Sequence, residues 1–382
     1  MNQQLRIGIV AGEASGDILG SGLMKAIKAL HPQASFEGIG GPLMCAEGFH
    51  SHFDMERLSV MGLIEPLKRL PELLSIRRSI INFFTANPPD VFLGIDSPDF
   101  NLTIERKLRE RGIKTAHYVS PSVWAWRQKR IHNIARSVDL MLTLFPFETE
   151  IYQQHQIPVK FVGHPLADHF PLEPDVVTAR NTLKLTMTDR VIALLPGSRG
   201  GEVKLLGELF LQVAKSCHDI DHRLKFVLPA ANSQRGKQLQ KMLKQFPRLP
   251  VRLLDGSSHT TMAAADVVLM ASGTTTLEAL LLKKPMVVTY KMAPLSYAII
   301  SRMVKSKFIS LPNLLADKAL VPEILQNAAT VENIVPRVME LLDSVRMRTE
   351  LSLAFQEIHH ALKKNASATA ALALIELIQK KN

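Results

Sequence analysis

At 382 residues the chain is long enough for two or three domains with full cores, and 46% hydrophobic against 21% charged residues is an ordinary globular balance. Its 46 Lys and Arg against 35 Asp and Glu leave a formal net charge of +11, which calls for nucleic acid, anionic lipid headgroups or a phosphorylated substrate as partner. Aromatic residues are only 6% and form no stacking motif, which argues against nucleic acid, and two cysteines, Cys45 and Cys217, exclude a disulfide framework or a cysteine-rich metal site.

The first eight residues, Met1-Asn2-Gln3-Gln4-Leu5-Arg6-Ile7-Gly8, carry too short an apolar run for a signal peptide. No uncharged apolar stretch approaches the roughly 18 residues of a spanning helix. A cytoplasmic chain is expected, touching a membrane at most at its surface.

Branched apolar runs at 6–11, 91–95, 114–119, 138–144 and 159–162 predict buried strands, with amphipathic stretches between several of them. This is the pattern of βα units on a parallel sheet. The first strand leads into Gly12-Glu13-Ala14-Ser15-Gly16-Asp17, with a helix from about Ile18. Glycines at such a junction let backbone N–H groups approach an anion or a sugar, and the acids Glu13 and Asp17 favour sugar hydroxyls over phosphate. The loop is neither a Walker A loop nor a Rossmann fingerprint. A tight turn capped by Ser15 or Asp17 fits it as well.

Around residues 63–84, Leu63, Leu67, Leu70, Leu74, Ile81 and Phe84 recur at helical spacing, widened by Ile64, Leu73, Ile76, Ile80 and Phe83 and decorated by Lys68, Arg69, Arg77 and Arg78. Pro66 and Pro71 suit the first turns of two short helices. An apolar face flanked by cations suits a helix lying in a membrane interface, and a core helix explains the apolar half equally well. A second basic and apolar stretch, Ile299-Ile300-Ser301-Arg302-Met303-Val304-Lys305-Ser306-Lys307, adds weight to the membrane surface.

The strand at 91–95 ends in Asp96-Ser97-Pro98-Asp99-Phe100-Asn101. Asp99 is expected to cap a helix beginning near Asn101, which leaves Asp96 as a general base or a turn-forming residue at the end of a parallel strand. The Asp-x-x-Asp spacing differs from the Asp-x-Asp that holds a divalent ion in sugar transferases, so no metal is expected. Next comes Val119-Ser120-Pro121-Ser122-Val123-Trp124-Ala125-Trp126-Arg127, holding both tryptophans and leading into Lys129, Arg130 and Arg136. Two indoles one residue apart beside cations suit either the rim of a lipid-substrate cleft or a loop plugging a local gap.

The pattern restarts after Pro171-Leu172-Glu173-Pro174, with apolar runs at 191–195, 225–228, 251–254, 267–270 and 286–289. A linker near 163–175 therefore divides two doubly wound α/β domains, 1–165 and 166–344, expected to face each other across a cleft. A helical tail, 345–382, is expected to pack back on the first. In the second domain Leu194-Leu195-Pro196-Gly197-Ser198-Arg199-Gly200-Gly201-Glu202 joins glycines to a cation, a combination suited to a diphosphate. Met270-Ala271-Ser272-Gly273-Thr274-Thr275-Thr276-Leu277-Glu278 repeats the plan, with Glu278 placed to accept from two ribose hydroxyls. Simple glycine-rich or Ser/Thr-capped turns remain open for both.

Six motifs in this order resemble lipid-A-disaccharide synthase over essentially the whole chain: Ala11 to Asp17, Gly94 to Asn101, Tyr118 to Arg130, Leu195 to Gly200, Ala271 to Thr274, and Ser310-Leu311-Pro312-Asn313-Leu314-Leu315. The resemblance implies a GT-B glycosyltransferase joining UDP-2,3-diacylglucosamine to 2,3-diacylglucosamine 1-phosphate, with release of UDP. It implies Asp96 as base, with Glu13 as a second acid that could take that role. Gly197, Ser198, Arg199, Ser272, Gly273, Thr274, Glu278 and Asn313 fall on the donor side. Gly12, Ser15, Trp124, Trp126, Arg127 and Arg130 fall on the acceptor and lipid side. No cofactor is expected, and the implied partners are the two acylated sugars and the anionic inner-membrane surface, with room for a homodimer. The alternative is a UDP-N-acetylglucosamine 2-epimerase-like enzyme, which shares the architecture but has no use for an apolar, cationic face.

Overall fold

The computed structural model describes residues 4–58, 65–293, 297 and 306–380, with 65–68 described by their backbone alone. The chain divides into two compact units, Met1–Asp168 with Leu362–Asn382, and His169–Ala361.

Among the described residues the first unit holds a parallel sheet of seven strands: β1 (Arg6–Ala11), β2 (Ser35–Ile39), β3 (His50–Ser51), β4 (Val91–Ile95), β5 (Thr115–Tyr118), β6 (Leu140–Thr143) and β7 (Val159–Phe161). Their order is β3-β2-β1-β4-β5-β6-β7, so the winding reverses between β1 and β4. Strand β4 is buried throughout because helices cover both faces, and its sequence is accordingly one unbroken apolar run. The strands β2 and β3 lacked such a signal. Ser35-Phe36-Glu37-Gly38-Ile39 mixes polar and apolar residues, and β3 is two residues long.

The apolar stretch beginning at residue 65 is one helix, Glu65–Ala86, with Pro71 inside it, where two short helices were expected. Ile76, Ile80 and Phe84 are fully buried at four-residue spacing, and this packing carries the helix through a proline that costs about 3 kcal/mol in an interior. Leu73, Ile81 and Phe83 pack partly against the same core, while Leu70 and Leu74 stay exposed. Most of the described apolar face is thus core. Leu63 and Ile64 lie outside the described residues, as do 299–305 of the second basic stretch.

The second unit repeats the plan with β8 (Arg190–Leu195), β9 (Leu224–Ala230), β10 (Val251–Asp255), β11 (Val267–Ala271), β12 (Met286–Tyr290) and β13 (Glu323–Leu325), in the order β10-β9-β8-β11-β12-β13. Its winding reverses between β8 and β11. The helical tail has two parts. Val345–Leu362 ends the second unit, Asn365 turns the chain with a left-handed φ of 57°, and Ala366–Gln379 returns to the first unit. There Asp168 caps the helix, its carboxylate accepting from the N–H of Asn365 at 2.9 Å and of Ala366 at 2.6 Å. Ala370, Ala371 and Leu374 are buried in the first core, which includes residues of the helix Ala14–Leu30.

Candidate active site

In the first unit β1 and β4 pair with Ala11 opposite Ile95, so the loops starting at Gly12 and Asp96 emerge side by side where the winding reverses. Ligands bind parallel sheets at such points. The two loops touch, since a Cβ on Gly12 would lie 2.5 Å from Ser97 Oγ. Asp96 and Ser97 both hold left-handed backbone, with φ of 52° and 44°. Asn101 pins that turn from behind, its Nδ2 donating to the carbonyls of Asp96 at 2.9 Å and Val10 at 3.2 Å. The next strand contributes too, with the Asp96 N–H donating to the Tyr118 carbonyl at 2.9 Å. Such conformations cost about 1–3 kcal/mol each and concentrate at functional sites. Among the described residues nothing hydrogen-bonds the half-buried Asp96 carboxylate.

The helix after Asp96 is Pro98–Arg109, three residues earlier than expected, with Ser97 in the cap position. Proline suits the first helical position, and Asn101 is turned inward to hold the loop. Asp99 is therefore no cap. Its carboxylate meets Arg130 Nη2 at 2.6 Å. Glu13 and Ser15 are exposed at the start of the helix Ala14–Leu30, whereas Asp17 is buried. The Asp17 carboxylate accepts from the N–H groups of Gly41, Leu43 and Met44 at 3.1, 2.9 and 2.9 Å, capping the short helix Pro42–Ala46 rather than its own. Beneath the site, Gly94 has no room for a Cβ because Glu105 and Asn101 press on it. Glu105 is itself fully buried against His117 Nδ1 at 2.7 Å, and burial pushes its carboxyl pKa up.

The tryptophan tract follows β5 through Val119, whose φ of 83° is a strained value for a β-branched residue. Its two indoles have different surroundings. Trp124 is half-buried edge-on to Phe147 at 5.0 Å, and Phe147 stacks on Phe145, which faces His164. The buried Glu148 lies below, its carboxylate accepting from Phe145 N–H at 3.0 Å. Burial raises its pKa to about 8, offset in part by the backbone at Phe145 and Leu144 and then by the Trp124 indole N–H and Ser120 hydroxyl. The indole N–H lies near Glu148 without completing a well-formed hydrogen bond. Trp126 is exposed, with the Arg127 guanidinium 4.5 Å from its ring centre.

In the second unit the register Leu195 opposite Met270 brings the loops after β8 and β11 together at the other reversal. They line a cavity of about 530 Å³. Gly197, Ser198, Arg199, Ser272, Gly273, Thr274 and Glu278 all line it. Gly197 and Gly273 have φ of 114° and 157°, values that side chains rarely adopt. Arg199, 82% exposed, precedes the helix Gly200–Ile220. Glu202 in the first turn accepts from the N–H of Ser198 at 3.1 Å and of Arg199 at 3.2 Å, so two backbone donors of this loop already have a partner. Glu278 is held by His259 Nε2 at 3.1 Å, and that hydrogen bond raises the His259 pKa. Among the described residues no group of three or more His, Cys, Asp or Glu gathers as a metal site would.

Both units thus carry their special loops at sheet reversals, and comparison with known proteins gives the architecture a family. The model of the lipid-A-disaccharide synthetase family matches residues 7–376. The lipid-A-disaccharide synthase of Hahella chejuensis is 58% identical over 98% of this chain and 95% of its own length, and that of Cellvibrio japonicus is 58% identical over 99% of both. The chain belongs to the lipid-A-disaccharide synthase family.

As a member of the lipid-A-disaccharide synthase family it is a glycosyltransferase of lipid A biosynthesis, using a sugar nucleotide and a lipid-linked sugar. Solved structures share its GT-B fold. A glycosyltransferase from Rickettsia africae superposes with a TM-score of 0.61 at 10% identity, each chain covered entirely. A UDP-GlcNAc 2-epimerase from Neisseria meningitidis, bound to UDP-GlcNAc, gives 0.60 at 13% identity over 97% of this chain and 99% of its own. At such identities the likeness is one of fold alone.

For a lipid-A-disaccharide synthase, the donor-side residues expected from sequence converge in one cavity except Asn313. Asn313 is buried outside the lining and holds together the segment 310–323. Pro229 to Ala231, Gly256 and Ser258 line the cavity and were missed. Ala230-Ala231-Asn232 and Asp255-Gly256-Ser257 repeat the strand, small-residue, helix plan that marked the other two loops. Among the described residues no helix is long and apolar enough to cross a membrane.

Proposed function

We propose that Asp96 is the base of an inverting transfer that joins UDP-2,3-diacylglucosamine to 2,3-diacylglucosamine 1-phosphate, giving the β-1,6-linked disaccharide 1-phosphate and UDP. One observation carries the assignment of roles. Of the two sheet reversals, one presents a free carboxylate on a strained turn and the other a glycine-lined cavity with an exposed arginine. The first suits an acceptor hydroxyl, the second a nucleotide diphosphate.

In this scheme the Asp96 carboxylate takes the proton of the acceptor 6-hydroxyl. The oxygen then forms its bond to the anomeric carbon of the donor from the face opposite UDP. The bond from that carbon to the UDP oxygen breaks, and UDP leaves with the electron pair. Arg199, exposed and held by Glu202 at only 3.4 Å, meets the diphosphate, helped by first-turn N–H groups of Gly200–Ile220 that Glu202 does not occupy. Glu278 accepts from the ribose hydroxyls once His259 yields one of its oxygens. Glu13 stands at the rim of the acceptor loop as a second acid.

Exposed Leu70, Leu74 and Trp126, interspersed with Arg78, Arg127 and Lys129, support peripheral contact with an anionic inner-membrane surface. Trp124 is half-embedded, and its role is shaping the acyl-chain side beside Phe147.

The test is incubation with both acylated sugars in detergent micelles containing EDTA. Disaccharide and UDP should form together, and absence of both would overturn the assignment. Asp96→Ala should abolish turnover while leaving UDP affinity nearly unchanged. A large loss of UDP binding would move Asp96 to the donor side.

A further inference from the structure

We infer that Arg77 and Arg130 form a phosphomonoester site beside Asp96, held ready by Asp99. The inference rests on the acceptor proposed above and names the groups that receive its phosphate.

Two guanidinium groups from distant segments reach the same residue. Arg130 Nη2 donates to Asp99 Oδ1 at 2.6 Å, and Arg77 Nη2 donates to the Asp99 carbonyl at 3.1 Å. Neither arginine is a loose surface cation. The Arg77 guanidinium lies 5.2 Å from the Phe100 ring centre, and the Arg130 side chain is only 15% exposed. Asp99 differs, because its side chain is 83% exposed and reaches outward.

Charge leaves this cluster unfinished. Only Arg130 is paired with the Asp99 carboxylate while Arg77 meets the Asp99 carbonyl, so of two cations beside one carboxylate a positive charge remains, and the buried Arg77 Nε has no hydrogen-bond partner. A buried, unpaired guanidinium N–H is costly, and burial already works against the charge on Arg77. A phosphomonoester can take the place of the exposed Asp99 carboxylate on Arg130 while the carbonyl bond keeps Arg77 in position. The planar forks then match two phosphate oxygens at a time, which an ammonium cannot do.

The location fits the chemistry. Asp99 lies in the first turn of the helix that begins two residues after Asp96. In the proposed acceptor, C1 bears the phosphate and C5 bears the CH2OH group of C6, and these two carbons flank the ring oxygen, so the hydroxyl to be deprotonated and the phosphate sit on the same edge of one sugar. A base and a phosphate site serving that sugar must be neighbours too. Arg127, by contrast, is spent on the exposed face of Trp126.

The experiment compares Arg77→Gln, Arg130→Gln and Arg130→Lys with the unsubstituted enzyme on two acceptors, one carrying the 1-phosphate and one lacking it. The preference for the phosphorylated acceptor, as a ratio of kcat/KM values, should fall about tenfold or more in each glutamine variant, and Arg130→Lys should recover part of it. UDP affinity should hold. Equal losses on both acceptors, or a drop in UDP affinity, would make the arginines structural and end the proposal. If Arg77→Gln fails to fold, the Arg130 variants decide, since Arg130 sits in the short 3-10 turn Gln128–Arg130. If the unsubstituted enzyme makes no disaccharide, the proposed reaction fails on its own. Titration with glucosamine 1-phosphate then judges the site: weaker binding by Arg130→Gln supports it, and equal binding overturns it.

Discussion

Asn313 Nδ2 donates to Glu323 Oε1 at 2.8 Å, and this pair of a buried amide and a half-buried carboxylate organises the segment 309–323 of the second unit. The Asn313 amide also donates to the Val321 carbonyl and accepts from the N–H of Leu320 and Val321, which uses its donors and its oxygen within the fold. Glu323 further accepts from Ile309 N–H, Ser310 N–H and the Ser310 hydroxyl. The segment so gathered reaches the cavity, because Ser272 Oγ donates to the Ile309 carbonyl at 3.1 Å.

Glu323→Ala should therefore act on donor binding from outside the cavity. Freed Ser310 and Asn313 donors would cost about 1–3 kcal/mol of stability. The KM for the UDP-sugar should rise more than kcat falls. Steady-state kinetics beside thermal unfolding check this, and an unchanged KM with a lowered midpoint would leave Glu323 a purely structural residue.

The contact between Gly12 and Ser97 couples the loops that follow β1 and β4. A Cβ on Gly12 would lie 2.5 Å from Ser97 Oγ and 3.2 Å from its Cβ. Gly12→Ala should lower kcat by about tenfold by shifting the turn that carries Asp96, with UDP affinity unaltered. Adding Ser97→Ala removes the closer atom and should restore part of the rate. A double variant no better than Gly12→Ala would refute this coupling.

The two acids of the first loop should separate cleanly. Asp17→Ala strips three backbone N–H groups of their acceptor and should destabilise the protein by about 1–3 kcal/mol. Glu13→Gln changes an exposed side chain and should lower turnover with an unchanged unfolding midpoint. Reversal of that pattern in unfolding and activity assays would exchange the roles.

Glu148 makes stability depend on pH in a definite direction. Burial raises its pKa from 4.5 to about 8, so between these values the folded chain keeps a proton that the unfolded chain releases. Stability must then fall as pH rises through that window, and the contribution is complete only below it. Glu148→Gln has no such proton to lose. Its midpoint relative to the unsubstituted protein should improve from about pH 5 to about pH 8, by at least about 2 °C. A difference that stays constant with pH would mean that Glu148 is ionised in the fold.

What was legible in the sequence was local. Strands β4 and β8 are apolar runs because a parallel strand is buried on both faces, and the loops after β1, β4, β8 and β11 stood out by glycine and small polar residues at strand ends. Those signals belong to neighbouring residues, so the chain alone sufficed to find them, and the six motifs together sufficed for the family. Strand order, register and partners belong to residues far apart. Only the tertiary structure placed β1 beside β4 and β8 beside β11, and so gathered four loops into two clusters at the sheet reversals. It also gave Asp17 to a helix 25 residues downstream as a cap, closed Asn313 onto Glu323 and brought Arg77 to Asp99. Hydrogen bonds and charges are satisfied by whatever the packed core brings within about 3 Å, and no spacing along the chain encodes that.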